Sequence, residues 1–519
     1  MKIKKKLIII NLSKNYSHKI NEINCDCINI SSGQIHIGKS NILDFFEIRK
    51  KYFKVVKKIF VDSYLKKFLE IKKKIPYFFE IETFNLRNDK NKSIDFFLNI
   101  LLIKEYIKKN HYNEIELITD HEFDSKIFKD LSSKIIVNKF GTKKNKNKWL
   151  ILKFTKFYFK AFLICFVLKF FQKNNEIKQK IVLSIYPLFS NKTKENFFKD
   201  EKSLKLNFLL TDETHLNASF FKILKNLKEY KSNNVIHAES LIGLLSIIKV
   251  YFLGLFEIFK ISNKDLILKI DKIDYSLILQ NDFYQAFLNR LKLNIYKKSL
   301  ESFFLNKKIK SFHYYMFEYN FGFFLNNLIR KTNKDILRIG YQHGIFSSNL
   351  LWLVLFKKFK KEISPNELVY FSELSKKTYN HYFKNIKKKK RVKITSYLLK
   401  KIKYSQKKNC HKILVLPGTH DAYEILNSIK NKINYNNEKK IYYFKFHPKM
   451  NISLKNSKYL KKISNIENHI FSEVYISQTS TLVYDFINEK KKFKLINLNF
   501  KMNLLSKNDN KKLKYIYFN

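Results

Sequence analysis

Proline and glycine are scarce in this chain, whose 519 residues contain 5 prolines and 9 glycines. Where these residues are rare, those that remain mark backbone geometry that other residues supply poorly. Pro417, Gly418 and Pro448 lie in one short region together with His420 and His447. The sequence therefore directs the search for a functional site to this region.

Arginine and alanine are also rare, with 6 arginines against 96 lysines and 5 alanines. The formal net charge is nevertheless +58. A basic chain can bind nucleic acid by releasing counterions, but arginine is the better ligand for phosphates and bases. A lysine excess in a chain poor in Gly, Ala, Arg and Pro is typical of an AT-rich coding sequence. We therefore expect no dedicated nucleic-acid-binding function.

The chain has four cysteines, with no CxxC motif and no histidine at zinc-ligand spacing. Neither a disulfide framework nor a structural zinc site is predicted. No Asp-x-Asp motif between apolar strands stands out, so we expect catalysis without a metal or cofactor. The first apolar run, Leu7–Ile10, is too short for a secretory signal, which predicts a cytoplasmic protein.

Hydrophobic residues make up 45% of the chain, which is ample for packed cores. Short apolar runs such as Ile413–Leu416 alternate with helical stretches, and this alternation predicts an α/β fold with parallel sheets. We expect two Rossmann-like domains, with a partly amphipathic helical insertion in the N-terminal half. The predicted divisions are 1–350, with the insertion at about 141–265, then 351–500, and a basic tail at 501–519.

Two shorter segments also carry predictions. Tyr275–Leu279 is predicted as a strand because it is a short, mostly apolar run. Lys387–Arg391 is predicted as a solvated loop because it is a run of like charges.

Two long apolar segments, 149–171 and 241–259, allow two interpretations. Lys153, Lys156 and Lys160 fall on one helical face of the first segment, and a basic run precedes it, as in helices that lie in a membrane interface. The alternative is a pair of core helices. The interfacial interpretation would add an anionic membrane surface as a partner and a peripheral location at the inner face of the cytoplasmic membrane.

Four predicted loops follow strands, which is where open α/β sheets bind ligands. They are Gly340–Gly344, Pro417–Asp421, His447–Lys449 and Ser477–Thr481. Hydroxyl groups at a helix start either cap the backbone N–H groups or help to bind a phosphate there. A histidine can donate to a phosphate oxygen or take up a proton near neutral pH. These loops are the candidate site.

The order QHG, LPGTHD, FKFHPK and SQTSTLVYDF, within residues 317–487, resembles bacterial two-domain transferases of the GT-B type that build surface polysaccharides. CDP-glycerol glycerophosphotransferases have a similar pattern, WHG, KPHP and YSSxxFD, and bacterial sialyltransferases and Kdo-transferases carry an HP motif and a later Ser/Thr pair. Phe317–Asn320 ahead of QHG is similar to the E…QHG arrangement of O-antigen sugar transferases. The chain departs from the glycerophosphotransferase pattern at three places: Gln342 stands for Trp, Phe446 for the first Pro, and Ser480-Thr481 for the Ser pair.

The resemblance implies a role for each matched residue. The donor phosphate would be held by His447 and the Ser480-Thr481 pair, with the other donor-binding candidates Lys449, Gln478, Thr479, Gly418 and Thr419. His343 would deprotonate an acceptor hydroxyl, and Glu318 would either orient His343 or act as the base itself. Structural alternatives stay open, namely a loop histidine bonded to backbone, an ordinary Ser/Thr cap, a plain glycine turn, and a Glu318 that pairs with Arg330 or Lys331.

The implied activity is that of a glycosyltransferase, with 1–350 as the acceptor domain and 351–500 as the nucleotide-donor domain. It would move a sugar or a polyol phosphate from a CMP-, CDP- or other NDP-linked donor to a cell-surface glycan such as the O-antigen of lipopolysaccharide or a capsule. The acceptor would be the glycan itself or its lipid-linked form. Two alternatives stay open: a non-catalytic envelope-assembly or nucleic-acid-binding basic protein, and a nucleotide-sugar epimerase with the same two-domain plan.

Overall fold

The fold is described from a computed structural model. It covers residues 6–11, 26–29, 34–36, 62–63, 66–67, 70, 100, 103–104, 106–108, 110–119, 124–131, 135–139, 146–171, 176–184, 203–210, 234–260, 262–270, 272–316, 320–342, 344–347, 364–390, 397–405, 411–419, 421–436, 440–447, 450, 452–498, 505 and 513–518.

The N-terminal part contains a five-stranded sheet. Its strands are β1 (Lys6–Asn11), β2 (Asp26–Asn29), β3 (Gln34–His36), β4 (Glu114–Thr119) and β5 (Ile135–Lys139), with α1 (Asp124–Leu131) between the last two. The order is β3-β2-β1-β4-β5, and each neighbouring pair is parallel except β2 with β3. Leu7, Ile8 and Ile9 of β1 are buried in the sheet centre, as expected of a parallel strand covered on both faces.

A seven-stranded sheet follows. Its strands are β6 (Lys180–Ser184), β7 (Leu204–Asn207), β8 (Val235–His237), β11 (Ser311–Met316), β12 (Leu337–Gln342), β13 (Glu367–Tyr370) and β14 (Lys387–Lys390), while β9 (Lys269–Ile270) and β10 (Ile273–Asp274) form a separate antiparallel pair. The order β14-β13-β12-β11-β6-β7-β8 is parallel throughout. The chain runs from β6 to one edge and then returns to the other side of β6, which is the plan of a doubly wound sheet.

The helices around this sheet are α2 (Lys146–Phe171), α3 (Leu244–Phe259), α4 (Ser276–Phe304), α5 (Asn320–Thr332) and α6 (Glu373–Tyr382). Buried residues of the first two sheets and of all these helices belong to one continuous hydrophobic cluster. The five-stranded and seven-stranded sheets are therefore joined by a shared core.

The C-terminal part contains a six-stranded sheet. Its elements in chain order are α7 (Tyr397–Lys401), β15 (Lys403–Tyr404), β16 (Lys412–Leu416), α8 (Ala422–Asn436), β17 (Ile441–Phe444), β18 (Leu460–Lys462), β19 (Ile470–Phe471), β20 (Glu473–Ser477), α9 (Leu482–Asn488), β21 (Lys494–Leu498) and β22 (Tyr515–Phe518). The order β18-β17-β16-β20-β21-β22 is again parallel throughout, and β15 pairs separately with β19. Alternate residues of β16 face opposite sides: Ile413 and Val415 pack in the cluster that contains α8, and Leu414 and Leu416 in the cluster that contains α9.

The chain is thus an α/β protein with several parallel sheets, compatible with two Rossmann-like domains. The strand positions differ from the divisions expected from the sequence. Strands β13 and β14 pair with the sheet that contains β12, so the division at 350 falls between two strands of one sheet. The interval 141–265 contains β6, β7 and β8 of that sheet besides its helices, and the segment 501–519 contains β22.

Two local predictions are wrong. The segment 275–279 begins helix α4 because the Asp274 carboxylate accepts the Ser276 N–H at 2.9 Å and the Tyr275 carbonyl accepts the Leu279 N–H at 3.1 Å. The lysine run is the edge strand β14 and not a loop, because Lys387 and Lys389 lie 3.4 and 2.6 Å from the Glu367 carboxylate on β13. These hydrogen bonds, that from Lys389 foremost, hold the pKa of Glu367 below its usual value.

Ionisable groups are buried where β7 and β8 end. Glu239 Oε1 accepts the Tyr296 hydroxyl at 2.5 Å and the Leu209 and Leu210 N–H groups at 2.6 and 3.0 Å. Burial raises the pKa of Glu239 and lowers that of His237 to about 4. Glu239 thus ties the end of β7 to α4 in a buried part of the core, where hydrogen bonds are electrostatically stronger than in water.

Helices α2 and α3 pack against each other. The rings of Phe154 and Tyr251 stack at 5.3 Å, and the Thr155 and Tyr251 hydroxyls lie 3.1 Å apart. In the described part of the chain we find no helix with the length and apolar character needed to span a bilayer.

Candidate functional site

The candidate site lies at the carboxyl edge of the six-stranded sheet. Strand β16 is the first strand of this sheet along the chain, and its neighbours are β17 on one side and β20 on the other. The strand order reverses between β16 and β20. In open α/β sheets the crevice outside such a reversal point is where ligands bind. The segments after β16 and β20, Pro417–Asp421 and Gln478–Thr481, flank this point.

Gly418 is required by the packing of these two segments. A Cβ atom built on Gly418 would lie 1.9 Å from Thr479 Oγ1, which is closer than atoms can approach, and at a tight 3.0 Å from Ser477 Oγ. The Gly418 N–H donates to Asp421 Oδ1 at 3.0 Å. Gly418 was expected from the sequence among the residues that approach the donor nucleotide, and the neighbour that the structure shows is the chain's own Thr479.

A buried hydrogen-bond network fixes the two segments to each other. The Ser477 hydroxyl donates to Asp421 Oδ2 at 2.5 Å, and Ser477 Oγ accepts the Thr479 N–H at 2.9 Å. Ser477 Oγ and Thr479 Oγ1 are 2.8 Å apart. Because Ser477 has one hydroxyl proton and gives it to the carboxylate, the proton between the two hydroxyls comes from Thr479. The sequence did not single out Asp421 as a site residue, because Ser477, its partner in the other segment, lies 56 residues away along the chain.

Gln478 faces the protein interior. Its Nε2 donates to the Ile496 carbonyl at 3.1 Å, and its Oε1 accepts the Leu505 N–H at 3.1 Å. The side chain is buried. Gln478 therefore holds the segment after β20 against β21, which is a structural role for a residue expected among the donor ligands.

Thr419, Thr479, Ser480 and Thr481 are half-buried at this edge. Ser480 Oγ accepts the Leu482 N–H at 3.4 Å, which is a long hydrogen bond. Thr481 has helical backbone angles and makes no side-chain cap on α9. The hydroxyls of Ser480 and Thr481 therefore contribute little to capping helix α9.

His447 lies in the segment that follows β17, where its side chain is exposed. Its carbonyl accepts the Met450 N–H at 2.8 Å. It lines a surface pocket of about 470 Å³ together with Lys445 and Lys462. Lys462 Nζ donates to the Ile452 carbonyl at 2.7 Å, and Lys445 Nζ donates to the Ser464 carbonyl.

From the sequence we expected His447, Ser480 and Thr481 to bind one phosphate together. The strand order instead places His447 apart from the other two residues. Strand β16 lies between β17 and β20, so the strands leading to these residues are two spacings, or about 10 Å, apart. A single phosphate is too small to bridge that distance between the strand ends. A ligand with several groups, laid across the end of β16, would reach both.

The segment after β12 contacts the six-stranded sheet's domain. The Phe346 N–H donates to the Tyr484 hydroxyl oxygen on α9 at 2.7 Å, and the Phe346 ring stacks on Tyr379 at 3.7 Å. Burial raises the pKa of Tyr379, so this phenol stays neutral.

Gln342 is fixed as well, because its Oε1 accepts the Phe371 N–H at 2.9 Å and its Nε2 donates to the Gly344 carbonyl at 3.0 Å. The loop between Gln342 and Phe346 is therefore anchored at both ends.

Three of the predicted site residues, His343, Glu318 and Lys449, lie outside the described residues. The strands before His343 and Glu318 are nevertheless adjacent and parallel, and their register pairs Met316 with Gln342. Both chain segments therefore leave the seven-stranded sheet at the same edge.

Among the residues described, no group of three or more His, Cys, Asp or Glu side chains could hold a metal ion. No protein-family model matches the chain, and the searches of curated proteins and of solved structures likewise gave no match.

Proposed function

We propose that this protein is a glycosyltransferase of the GT-B type that uses a nucleotide-activated donor. The observation that carries the proposal is the reversal of strand order at β16 and β20, with Gly418 and a set of half-buried hydroxyls beside it. Sheets of this order bind nucleotides at that position. The glycine turn after the first strand lets the two segments pack closely, which brings the hydroxyls of the second segment to the end of the first strand.

In the proposed complex the donor lies across the end of β16. The hydroxyls of Ser480 and Thr481 and the Thr419 segment contact one part of it, while His447 contacts another part about two strand spacings away. An extended donor, in which a sugar is linked to a nucleoside diphosphate or monophosphate, fits this separation better than a single phosphate does. Gln478, Asp421 and Ser477 hold the loop in shape without touching the donor.

The acceptor side of the proposed site belongs to the seven-stranded sheet. The contact of Phe346 with Tyr484 supports this division, because it brings the segment that bears His343 to the helix that follows Ser480 and Thr481. The register of Met316 with Gln342 supports a joint role for Glu318 and His343.

In the proposed reaction His343 or Glu318 takes the proton of an acceptor hydroxyl. The hydroxyl oxygen forms a bond to the donor's anomeric carbon, or to phosphorus if a polyol phosphate is transferred. The bond to the nucleotide breaks and its electron pair leaves with the nucleotide phosphate. Positioning of donor and acceptor across the cleft supplies much of the rate, and His447 with the loop hydroxyls stabilises the leaving group's charge.

Nucleotide binding tests the proposal most directly. The purified chain should gain thermal stability with one of CMP, CDP, UDP or GDP, because a ligand that binds the folded state stabilises it. The double variant Ser480→Ala/Thr481→Ala should weaken that shift. Ser472→Ala is a matched control, since Ser472 precedes β20 at the opposite edge of the same sheet. Absence of a shift with every nucleotide, or equal loss in the control, would contradict the proposal.

A further inference from the structure

Among the described side chains of helices α2 and α3, ten large apolar ones are exposed to solvent. They are Ile151, Leu152, Phe159, Phe166 and Phe170 on α2, and Leu245, Ile248, Phe252, Leu253 and Phe256 on α3. We call this set the apolar patch. Its outermost members are exposed over most of their surface, 65% for Phe159, 71% for Phe170, 83% for Leu245 and 68% for Phe256.

The spacing of these residues makes each set a stripe along its helix. On α2, Leu152, Phe159, Phe166 and Phe170 are seven, seven and four residues apart, so they lie on one side. The opposite side, which includes Phe154, is buried in the core. Helix α2 is therefore apolar on two faces, which corrects the expectation of one apolar and one basic face.

Helix α3 has the same arrangement. Leu245, Ile248, Phe252 and Phe256 follow one another at intervals of three and four, while Ile247 and Val250 are buried in the core. Each exposed stripe lies opposite its own buried face, and the helices touch through Tyr251. The two stripes therefore form one outward surface. Contiguous apolar surfaces of this kind mark interaction sites in soluble proteins.

The charges around the apolar patch indicate what covers it. Lys153, Lys156 and Lys160 flank the α2 stripe on one side, Lys169 lies on the other, and Lys249 lies within the α3 stripe. Helix α2 contains no acidic residue, and four more lysines lie in sequence at 143, 144, 146 and 148, just before and within its first turn. A second copy would bring these lysines against identical lysines, with a formal charge of +58 on each chain. Charge complementarity therefore selects an anionic occupant.

We propose that the apolar patch inserts into the interface of a bilayer that contains anionic phospholipids. Two helices lying side by side with outward aromatic and aliphatic side chains present the geometry of helices that lie in the membrane plane. The surrounding lysines lie at the level of the lipid head groups, where each adds attraction to anionic lipid. This inference rests on α2 and α3 and is independent of the nucleotide site.

Vesicle flotation of the purified full-length chain tests this inference. We expect flotation with vesicles of phosphatidylcholine and phosphatidylserine, and much less with phosphatidylcholine alone. Phe159→Gln and Phe256→Gln should each lower the partition coefficient roughly tenfold, because each removes a large apolar side chain from the contact. Leu305→Gln is the matched control, since Leu305 is 61% exposed and lies directly after α4, outside the patch.

Circular dichroism and thermal melting show whether each variant keeps the wild-type fold. A folded wild-type chain that does not float with anionic vesicles would overturn the proposal. It would also be overturned if Phe159→Gln abolished a wild-type dimer seen by sedimentation while leaving flotation unchanged. Equal loss of flotation in Leu305→Gln would remove the assignment to the apolar patch.

Discussion

The Phe346 N–H donates to the hydroxyl oxygen of Tyr484 at 2.7 Å, and the same hydroxyl donates back to the Phe346 carbonyl at 3.3 Å. Both residues are buried. One phenol thus satisfies two backbone groups of the segment that leaves the seven-stranded sheet. This contact joins that segment to the helix after the hydroxyl-bearing loop of the six-stranded sheet.

Tyr484→Phe should lower the free energy of unfolding by about 1–3 kcal/mol, because it leaves a buried N–H without its acceptor. If the proposed function holds, the rate of transfer should also fall while nucleotide affinity is retained. Urea unfolding and nucleotide titration measure the two effects. Tyr517→Phe on β22 is the matched control, because that side chain is partly exposed. Equal stability of the two variants would contradict the role of the contact.

Gly418→Ala should destabilise the protein by about 1–3 kcal/mol through overpacking against Thr479. Adding Thr479→Ala should recover much of this loss, since it removes the atom 1.9 Å from the new Cβ. The double-mutant cycle measures that coupling. Gly243→Ala is the control, because its Cβ would meet Ser246 Oγ at an ordinary 3.6 Å. Additive effects at Gly418 and Thr479 would refute the close packing.

Gln478→Leu should also cost about 1–3 kcal/mol, because the Leu505 N–H and the Ile496 carbonyl lose their partner in the interior. Ser480→Ala, two residues along, should cost much less. Chemical denaturation measures the free energy of unfolding of both variants. A larger loss in Ser480→Ala would show that the loop is held by its hydroxyls rather than by the buried amide.

His237 should make stability depend on pH. Burial lowers its pKa from 6.5 to about 4, so between these values the unfolded chain binds more protons than the folded protein. The contribution of His237 is complete above pH 6.5 and is lost as the pH falls through this window, by about 3 kcal/mol in total. Glu239, whose pKa is raised, favours the folded state on acidification and so opposes this loss.

His237→Phe should therefore flatten the fall in unfolding free energy on acidification, measured by urea titration at successive pH values. The exposed His381→Gln is the matched control for loss of an imidazole. An unchanged acid slope in His237→Phe would show that other groups govern this range.

The sequence predicts the strands of the six-stranded sheet well. The apolar runs Ile413–Leu416 and Val474–Ile476 lie in observed strands, and the strand predicted at Ile441–Phe446 is observed at Ile441–Phe444. These runs are clear in the sequence because a strand buried on both faces has apolar residues at successive positions. The run 275–279 has the same apolar character, yet a buried helix uses it equally well.

Contacts between distant segments could not be predicted from a single sequence. Nothing local to Gly418 indicates that Thr479 fills the space beside it, or that Asp421 accepts from Ser477. Likewise the lysines of β14 gain their partner, Glu367, only once the strands pair. His343 and His447 were identified because they follow predicted strands. Which other residues lie close to them depends on the order of the strands in the sheet.

Strand β14 also affects whether the seven-stranded sheets of two copies of the protein can pair edge to edge. Among the described residues β14 is the last strand of this sheet, and an edge strand offers the backbone N–H and C=O groups on its outer side to another strand. A second copy of Lys387–Lys390 would have to approach to about 4.8 Å, which would set one row of ammonium groups beside another. Repulsion between these ammonium groups therefore opposes fibre-like growth from this edge. The positive charge of β14 thus limits edge-to-edge pairing between copies of the protein.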